Sequence, residues 1–337
     1  MIQNHKPKPV SRPAVALKAL LLMAIAAVMS VPAMKAQVDA QFTQYFEVPN
    51  YYNPGAIGRI DYLRIRGGSR MQWVGIPKAP KTFLAAADMP VKLLGKRIGV
   101  GLLMQQESLG LYSNLLVGAQ GAFNFKLLNG RMSIGLQLGM VDEGFKGSQV
   151  VLPDDDDYHQ STDEGIPTTD IHGTSFDMAL GVFYEHPKFW AGLSVTHVNE
   201  PNITMTADGT QSKEFQFKAG RVLYFMAGSN IPVKNTLFEI QPSIMVKSDL
   251  TFTVAEATAR VRYNKFLTAG VGYRHNDAVS LILGAEYRDF FIGYSYDYST
   301  SEISKASNGS HEIWAGYKLK LDLGEKNKHR HKNIRIM

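Results

Sequence analysis

The sequence predicts an all-β protein, a transmembrane antiparallel β-barrel of about fourteen strands preceded by a cleaved signal peptide. Three observations predict it. Apolar and polar residues alternate along most of the chain after about residue 60, the connections between runs sort by length, and the first forty residues have the build of an export signal.

The front of the chain is polar and basic, with Lys6, Lys8, Arg12 and Lys18, and leads into an apolar stretch over 19–31, then Pro32 and small residues. Charged, apolar and small, in that order, is the pattern of a secretory signal. Cleavage is expected after Ala36. The apolar stretch is too short to cross a hydrocarbon core of about 30 Å as a helix. The chain is accordingly divided into a signal peptide (1–36), an N-terminal periplasmic segment (37–59), an outer-membrane barrel (60–321) and a basic C-terminal tail (322–337).

Within the barrel region the clearest strand is 131–141, where Met132, Ile134, Leu136, Leu138 and Met140 share one face and Ser133, Gly135, Gln137 and Gly139 the other. Leu115, Val117, Ala119, Phe123, Phe125 and Leu127 repeat the scheme against Gly118, Gln120, Asn124 and Lys126. Near the end, Ile313, Ala315, Tyr317, Leu319 and Leu321 oppose Glu312, Trp314, Gly316, Lys318 and Lys320. Turn signals at Asn129-Gly130, 186–188, Asn264-Lys265, Asn276-Asp277 and Arg288-Asp289 separate the runs. The expected strands are 60–69, 81–89, 97–107, 113–127, 130–142, 173–184, 188–198, 214–229, 236–247, 251–263, 266–275, 278–287, 289–298 and 310–321. The long gaps, 142–173, 199–213 and 299–309, all fall at odd positions, and the even gaps include the tightest turns. Short turns on the periplasmic side and long loops outside are the habit of bacterial outer-membrane barrels with both termini in the periplasm. Aromatic residues near strand ends (Phe189, Trp190, Tyr224, Phe225, Phe290, Phe291, Tyr294, Tyr296 and Tyr298) fit interfacial girdles or ordinary β packing.

Charge and composition exclude several classes of function. The formal net charge is +6, but residues 1–36 hold five Lys/Arg and no acid, and the tail adds a second basic cluster, so the body between is slightly acidic. Nucleic-acid binding, which needs a basic face, is not expected. The absence of cysteine removes disulfides, thiolate metal sites and a lipid-bearing cysteine.

Little in the sequence carries chemistry. Asp154–Asp157, with His159, Asp163 and Glu164, is the densest acidic cluster. It lacks the spacing of a calcium loop and reads as a solvated external loop. His172, His186, His197, His275 and His311 have no spacing that singles out a pair, and His329 and His331 lie in the tail. No HExxH, GxSxG or P-loop pattern is present. No catalytic, cofactor-binding or metal residue is assigned, no cofactor is expected, and the protein is not expected to be an enzyme.

Two ends of the chain carry a resemblance. Gln41 through Tyr45 (QFTQY) and Asn53 through Ala56 (NPGA) resemble the "FSQY…NPA" opening of the PorP/SprF family. Tyr294 through Tyr298 (YSYDY), followed by Gly309 through Ile313 (GSHEI), resembles its closing "YSYD…GSHEI" hairpin. Between them, Arg70 through Trp73 (RMQW) is similar to its "RNQW" strand, Leu193-Ser194 with Pro201 to its "GLS…P" segment, and Tyr273-Arg274 to its "YR" strand. The resemblance implies a membrane component of the type IX secretion and gliding apparatus. Its partners would be the outer-membrane bilayer, periplasmic ring or peptidoglycan-linked subunits, and a surface adhesin or secreted cargo. It carries no catalytic residues. The basic tail extends past the usual end of the family. Gly309 to Glu312 also have a purely structural reading, a lock on the last hairpin that closes the barrel against the first strand. The alternative function is an outer-membrane transport barrel for a small or hydrophobic solute. That function would need a plugged, apolar interior, whereas the inward faces carry Gln, Asn, Lys and Glu.

Overall fold

Strand pairing closes on itself. A computed structural model describes residues 39–93, 95–151, 166–207 and 214–322. Five long strands, β1 (Tyr62–Met71), β2 (Lys81–Leu93), β3 (Lys96–Leu109), β4 (Tyr112–Leu127) and β5 (Gly130–Lys146), run as a meander into β6 (Asp170–Glu185) and β7 (Phe189–Thr196). After a small hairpin, β8 (Asn202–Ala207) with β9 (Phe215–Lys218), the wall resumes at β10 (Val222–Ser229). The two-residue β11 (Ile231–Pro232) follows. The wall continues through β12 (Phe238–Ser248), β13 (Thr253–Tyr263), β14 (Leu267–Arg274), β15 (Ala278–Tyr287), β16 (Phe290–Ser299) and β17 (Ser310–Lys320). β1 pairs antiparallel with both β2 and β17, with Arg70 opposite Glu312, so no edge is left open. Leaving aside β8, β9 and β11, the wall has the expected fourteen strands.

The inward and outward faces follow the period of two. On β5, Ile134, Leu136, Leu138 and Met140 are 39–58% exposed, whereas Ser133 and Gln137 are each 2% exposed. On β17 the outward Ile313 is 49% exposed beside the fully buried inward Trp314. An apolar outer band with a polar interior inverts a soluble core and suits a wall whose outer solvent is lipid. Leu128 and Asn129, both with positive φ, form the two-residue turn between β4 and β5, the primed geometry that matches strand twist.

The connections define two ends. The turn end carries the tight links such as 128–129 and 264–266; the loop end carries 147–169, 197–221 and 300–309. Three expectations are corrected. The run 214–229 is two strands, β9 and β10, and 199–213 is not simply a loop, because β8 pairs with β9 and its far end adds to the loop-end tip of β6. The aromatic set does not form one girdle: Phe225, Phe290 and Tyr298 face out, but Tyr224 is 1% exposed and faces the lumen.

The third correction is the largest. The N-terminal segment, expected as a piece outside the barrel, fills the lumen across its described residues. Asp39 lies at the loop end against Thr196, His197 and Lys247. The chain then descends through a short helix, α1 (Pro49–Tyr52), and a 3-10 turn (Pro54–Ala56) to the turn end. There Gly58 N donates to Asp88 (2.9 Å) and Arg59 pairs with Glu185 (3.2 Å) before β1 begins. Phe42, Tyr45, Val48, Tyr51 and Tyr52 are all 0–7% exposed and pack with Leu84, Tyr224, Met226, Met245 and Trp314, and Ile57 is 0% exposed lower down. Each such side chain removed from water contributes roughly 1.5–3 kcal/mol. Wall glycines leave room for this backbone: a Cβ on Gly135 would stand 2.2 Å from the Pro54 carbonyl carbon, and one on Gly181 2.1 Å from Asn53 Oδ1.

The signal peptide, the Asp154–Asp157 run with His159, Asp163 and Glu164, and the tail with His329 and His331 lie outside the described residues.

Candidate functional site: the clasp between plug and wall

A barrel wall needs inward polar side chains only if something inside satisfies them. Here the plug does. Thr43 and Gln44 follow Phe42 into the lumen and meet a cluster drawn from β1, β13, β14, β16 and β17. Glu312 accepts from Thr43 N (2.8 Å), Gln44 N (2.9 Å), Arg70 Nη1 (3.1 Å) and Trp314 Nε1 (2.6 Å). Asp297 accepts from Arg70 Nη2 (2.7 Å) and from the Thr43 hydroxyl (2.7 Å), with Arg274 Nη1 at 3.5 Å. Arg274 Nε donates to Glu256 (3.0 Å), which also accepts from Gln41 Nε2 (2.9 Å). The Thr43 hydroxyl oxygen in turn accepts from Arg70 Nη1 (3.1 Å) and Arg274 Nη2 (3.0 Å).

All these wall residues are at most 3% exposed. A buried charge is tolerable only when paired and hydrogen-bonded, and two guanidiniums shared among three carboxylates meet that condition here. The plug's backbone and Thr43 complete the coordination. Removing the plug would therefore strand charges inside the wall as well as expose its aromatic residues. The clasp is structural chemistry: it fixes a segment in place, and its carboxylates are occupied by arginine.

A second contact holds the loop end. His197, just past the end of β7, offers Nδ1 to Asp177 (2.7 Å) and Nε2 to Asp39 (3.0 Å). Burial alone would lower the imidazole pKa, but Asp39 and Asp177 outweigh it and push it up to about 11, so the ring is cationic at neutral pH. Burial alone would raise Asp39; His197, then Tyr224 and Lys247, hold it below the usual carboxylate range. Lower down, Asn53 Nδ2 donates to the Val182 carbonyl (2.9 Å), Ser194 Oγ to the Tyr52 carbonyl (2.6 Å), and Gln120 Nε2 to the Asn50 carbonyl (2.7 Å).

Among the described histidines, the structure brings His197 alone into this plug contact. His172 and His275 stand near the loop end, His186 at a tight turn, and His311 beside Tyr294 on the wall's outward side. The residues singled out by resemblance behave differently. Phe42 to Tyr45, Asn53, Arg70, Ser194, Arg274, Asp297 and Glu312 sit far apart in sequence and meet on one plug and its seat. Glu312 therefore does more than lock the last hairpin: it is the plug's principal acceptor. Sequence reasoning missed Glu256 and Asp177, whose single inward positions carry no local signal, and it gave no partner for His197.

Residues 34–317 match the model of the family described as "Type IX secretion system membrane protein PorP/SprF". No curated protein matches the chain. Among solved structures, the chain is similar to the Acinetobacter baumannii outer membrane protein Omp33 (7% identity, 78% of this chain and 100% of that one, TM-score 0.44). It is also similar to a Pseudomonas aeruginosa FadL homologue (9% identity, 80% and 93%, TM-score 0.49) and to the P. putida toluene transporter TodX (9% identity, 78% and 89%, TM-score 0.40).

Proposed function

We propose that this chain, which belongs to the PorP/SprF family of type IX secretion system membrane proteins, is a non-enzymatic, plugged outer-membrane barrel that anchors secretion or gliding partners. On this reading it associates with periplasmic ring or peptidoglycan-linked subunits on one side and with a surface adhesin or secreted cargo on the other. The observation that carries it is the lumen: family membership points to secretion, and a lumen filled by residues 39–58 and clasped by buried ion pairs supports an anchor rather than a conduit.

The orientation follows the habit of bacterial barrels, with the turn end in the periplasm and the loop end outside. Residues 1–36 then act as the export signal, β17 ends at the turn end so that the tail from 322 starts on the periplasmic side, and the start of the plug faces outward. The alternative, passage of a small solute, would require the plug to leave or shift. Deletion of the gene discriminates: surface adhesin or exported cargo should be lost while solute uptake is kept. An uptake defect with secretion intact would overturn the anchoring role. Crosslinking from the periplasmic face, followed by identification of what is captured, would name the partners.

A further inference from the structure

Most buried acids of the lumen have a cation. Asp88 has Arg64, Asp297 and Glu312 have Arg70, Glu256 has Arg274, and Asp177 has His197. Glu107, half-buried on β3, and Glu143, buried on β5, do not: among the described residues, no cation lies within ion-pair distance of either. They are also neighbours. Strand register sets Glu107 opposite Asn114 on β4, and Asn114 opposite Glu143, so two carboxylates flank one amide across three adjacent strands.

Both line a cavity of about 320 Å³ at the loop end, beside the start of the plug. Glu143 is 3% exposed; its Oε1 accepts from Asn114 Nδ2, while its Oε2 has no hydrogen-bond partner. Glu107 accepts a single bond from the Thr82 hydroxyl (3.3 Å). The cations near the cavity are engaged elsewhere: Lys218 with Glu200 (2.7 Å), His197 between Asp39 and Asp177, and Lys247 with the Asp39 carbonyl. Leu116, Val141, Phe217 and Val222 form an apolar part of the wall, and Asp39, Asp249 and Gln105 add further acceptors.

We propose that this cavity binds an alkylammonium or alkylguanidinium group, the chemistry of a lysine or arginine side chain. An unpaired buried carboxylate is costly, and a cation that brings its own donors removes the cost. Apolar walls suit the methylene stem of such a group, which prefers apolar contact while its head keeps polar company. The donor set is poor for a hard metal ion, since calcium takes about six to eight oxygens and no cluster of three or more ligating side chains that could hold a metal occurs among the described residues. The proposal does not depend on which partners the barrel serves.

The test uses the full chain in neutral-detergent micelles, titrated with n-butylammonium and with Nα-acetyl-lysine methylamide, and with n-pentanol as the uncharged control. Saturable binding of the cations and none of pentanol is expected. Glu107→Gln with Glu143→Gln should weaken cation binding at least about tenfold, as loss of charged hydrogen bonds implies. The same change should leave the melting temperature of the unliganded protein equal or higher, because it removes two carboxyl groups that have no cationic partner. If that double variant does not assemble, Asn114→Lys carries the test: it places an ammonium between the carboxylates and should abolish probe binding. Binding of both cations supports a polypeptide side chain as the natural source, and binding of n-butylammonium alone supports a free amine. Equal binding of pentanol, displacement by millimolar calcium, unchanged affinity in the variants, or no saturable binding would overturn the proposal.

Discussion

Replacing Thr43 with valine keeps the shape of the plug and removes one hydroxyl, so it tests the clasp without touching a wall charge. That hydroxyl donates to Asp297 (2.7 Å) and accepts from Arg70 (3.1 Å) and Arg274 (3.0 Å). A hydrogen bond to a charged group contributes roughly 1.5–3 kcal/mol. Both guanidiniums keep a carboxylate after the change, Arg70 with Glu312 and Arg274 with Glu256, so the low end applies to each. We expect Thr43→Val to weaken plug seating by about 2–4 kcal/mol, or about 30- to 1,000-fold in the ratio of seated to unseated plug. The native chain contains no cysteine, so a single Val48→Cys reporter, at a position 0% exposed in the plug, reads unseating cleanly. In the regime where opening precedes labelling, a water-soluble maleimide should react faster in the Thr43→Val background by that factor. A rate within about threefold of the parent, well under a 1 kcal/mol effect, would refute the idea that Thr43 clasps the plug.

Other expectations follow from the same contacts. Gly135→Ala should also speed maleimide labelling at Val48→Cys, by pressing a methyl onto the Pro54 backbone at a cost of about 1–3 kcal/mol; an unchanged rate would mean that the plug does not lie against β5. Leu136→Arg and Leu138→Arg should each destabilise the bilayer-reconstituted protein by roughly 2–4 kcal/mol. Gln137→Arg should destabilise it too, by overfilling the seat where Gln137 accepts from Gln120 (2.8 Å), whereas a water-filled lumen would tolerate it; urea midpoints decide. His197 has a folded pKa raised above its ordinary 6.5 to about 11. Its contribution is therefore complete below about pH 6.5 and is lost as pH rises through about 11. The melting temperature should fall from about pH 7 to about pH 10 more in the parent than in His197→Gln, and parallel curves would refute the bridge.

How much of this was legible in the sequence depends on the kind of signal each part leaves. Residues 131–141 announce both strand and facing, because lipid outside and polar filling inside enforce strict alternation. The β8–β9 hairpin was hidden: it pairs chiefly with itself, and its partner spacing spans residues that read as a loop. The plug was hidden for a deeper reason. Phe42 to Ala56 has neither period, since a segment surrounded by wall on all sides needs no solvent face, so composition shows only aromatics mixed with amides and prolines. Resemblance found its residues as motifs, yet nothing in the chain says that Thr43 and Glu312, or Asn53 and Gly181, meet. Those contacts join positions more than a hundred residues apart and arise only when β1 closes on β17. Glu107, Asn114 and Glu143 are similar: each is an ordinary inward polar residue until register sets them side by side.

A lumen closed by the plug should pass no ions, and ion conductance of the purified protein in a planar bilayer addresses that most directly. The parent should show no stable unitary conductance, and deletion of residues 39–57, provided the barrel still assembles, should produce steady open-channel currents. Steady currents in the parent, equal to those of the deletion variant, would contradict it.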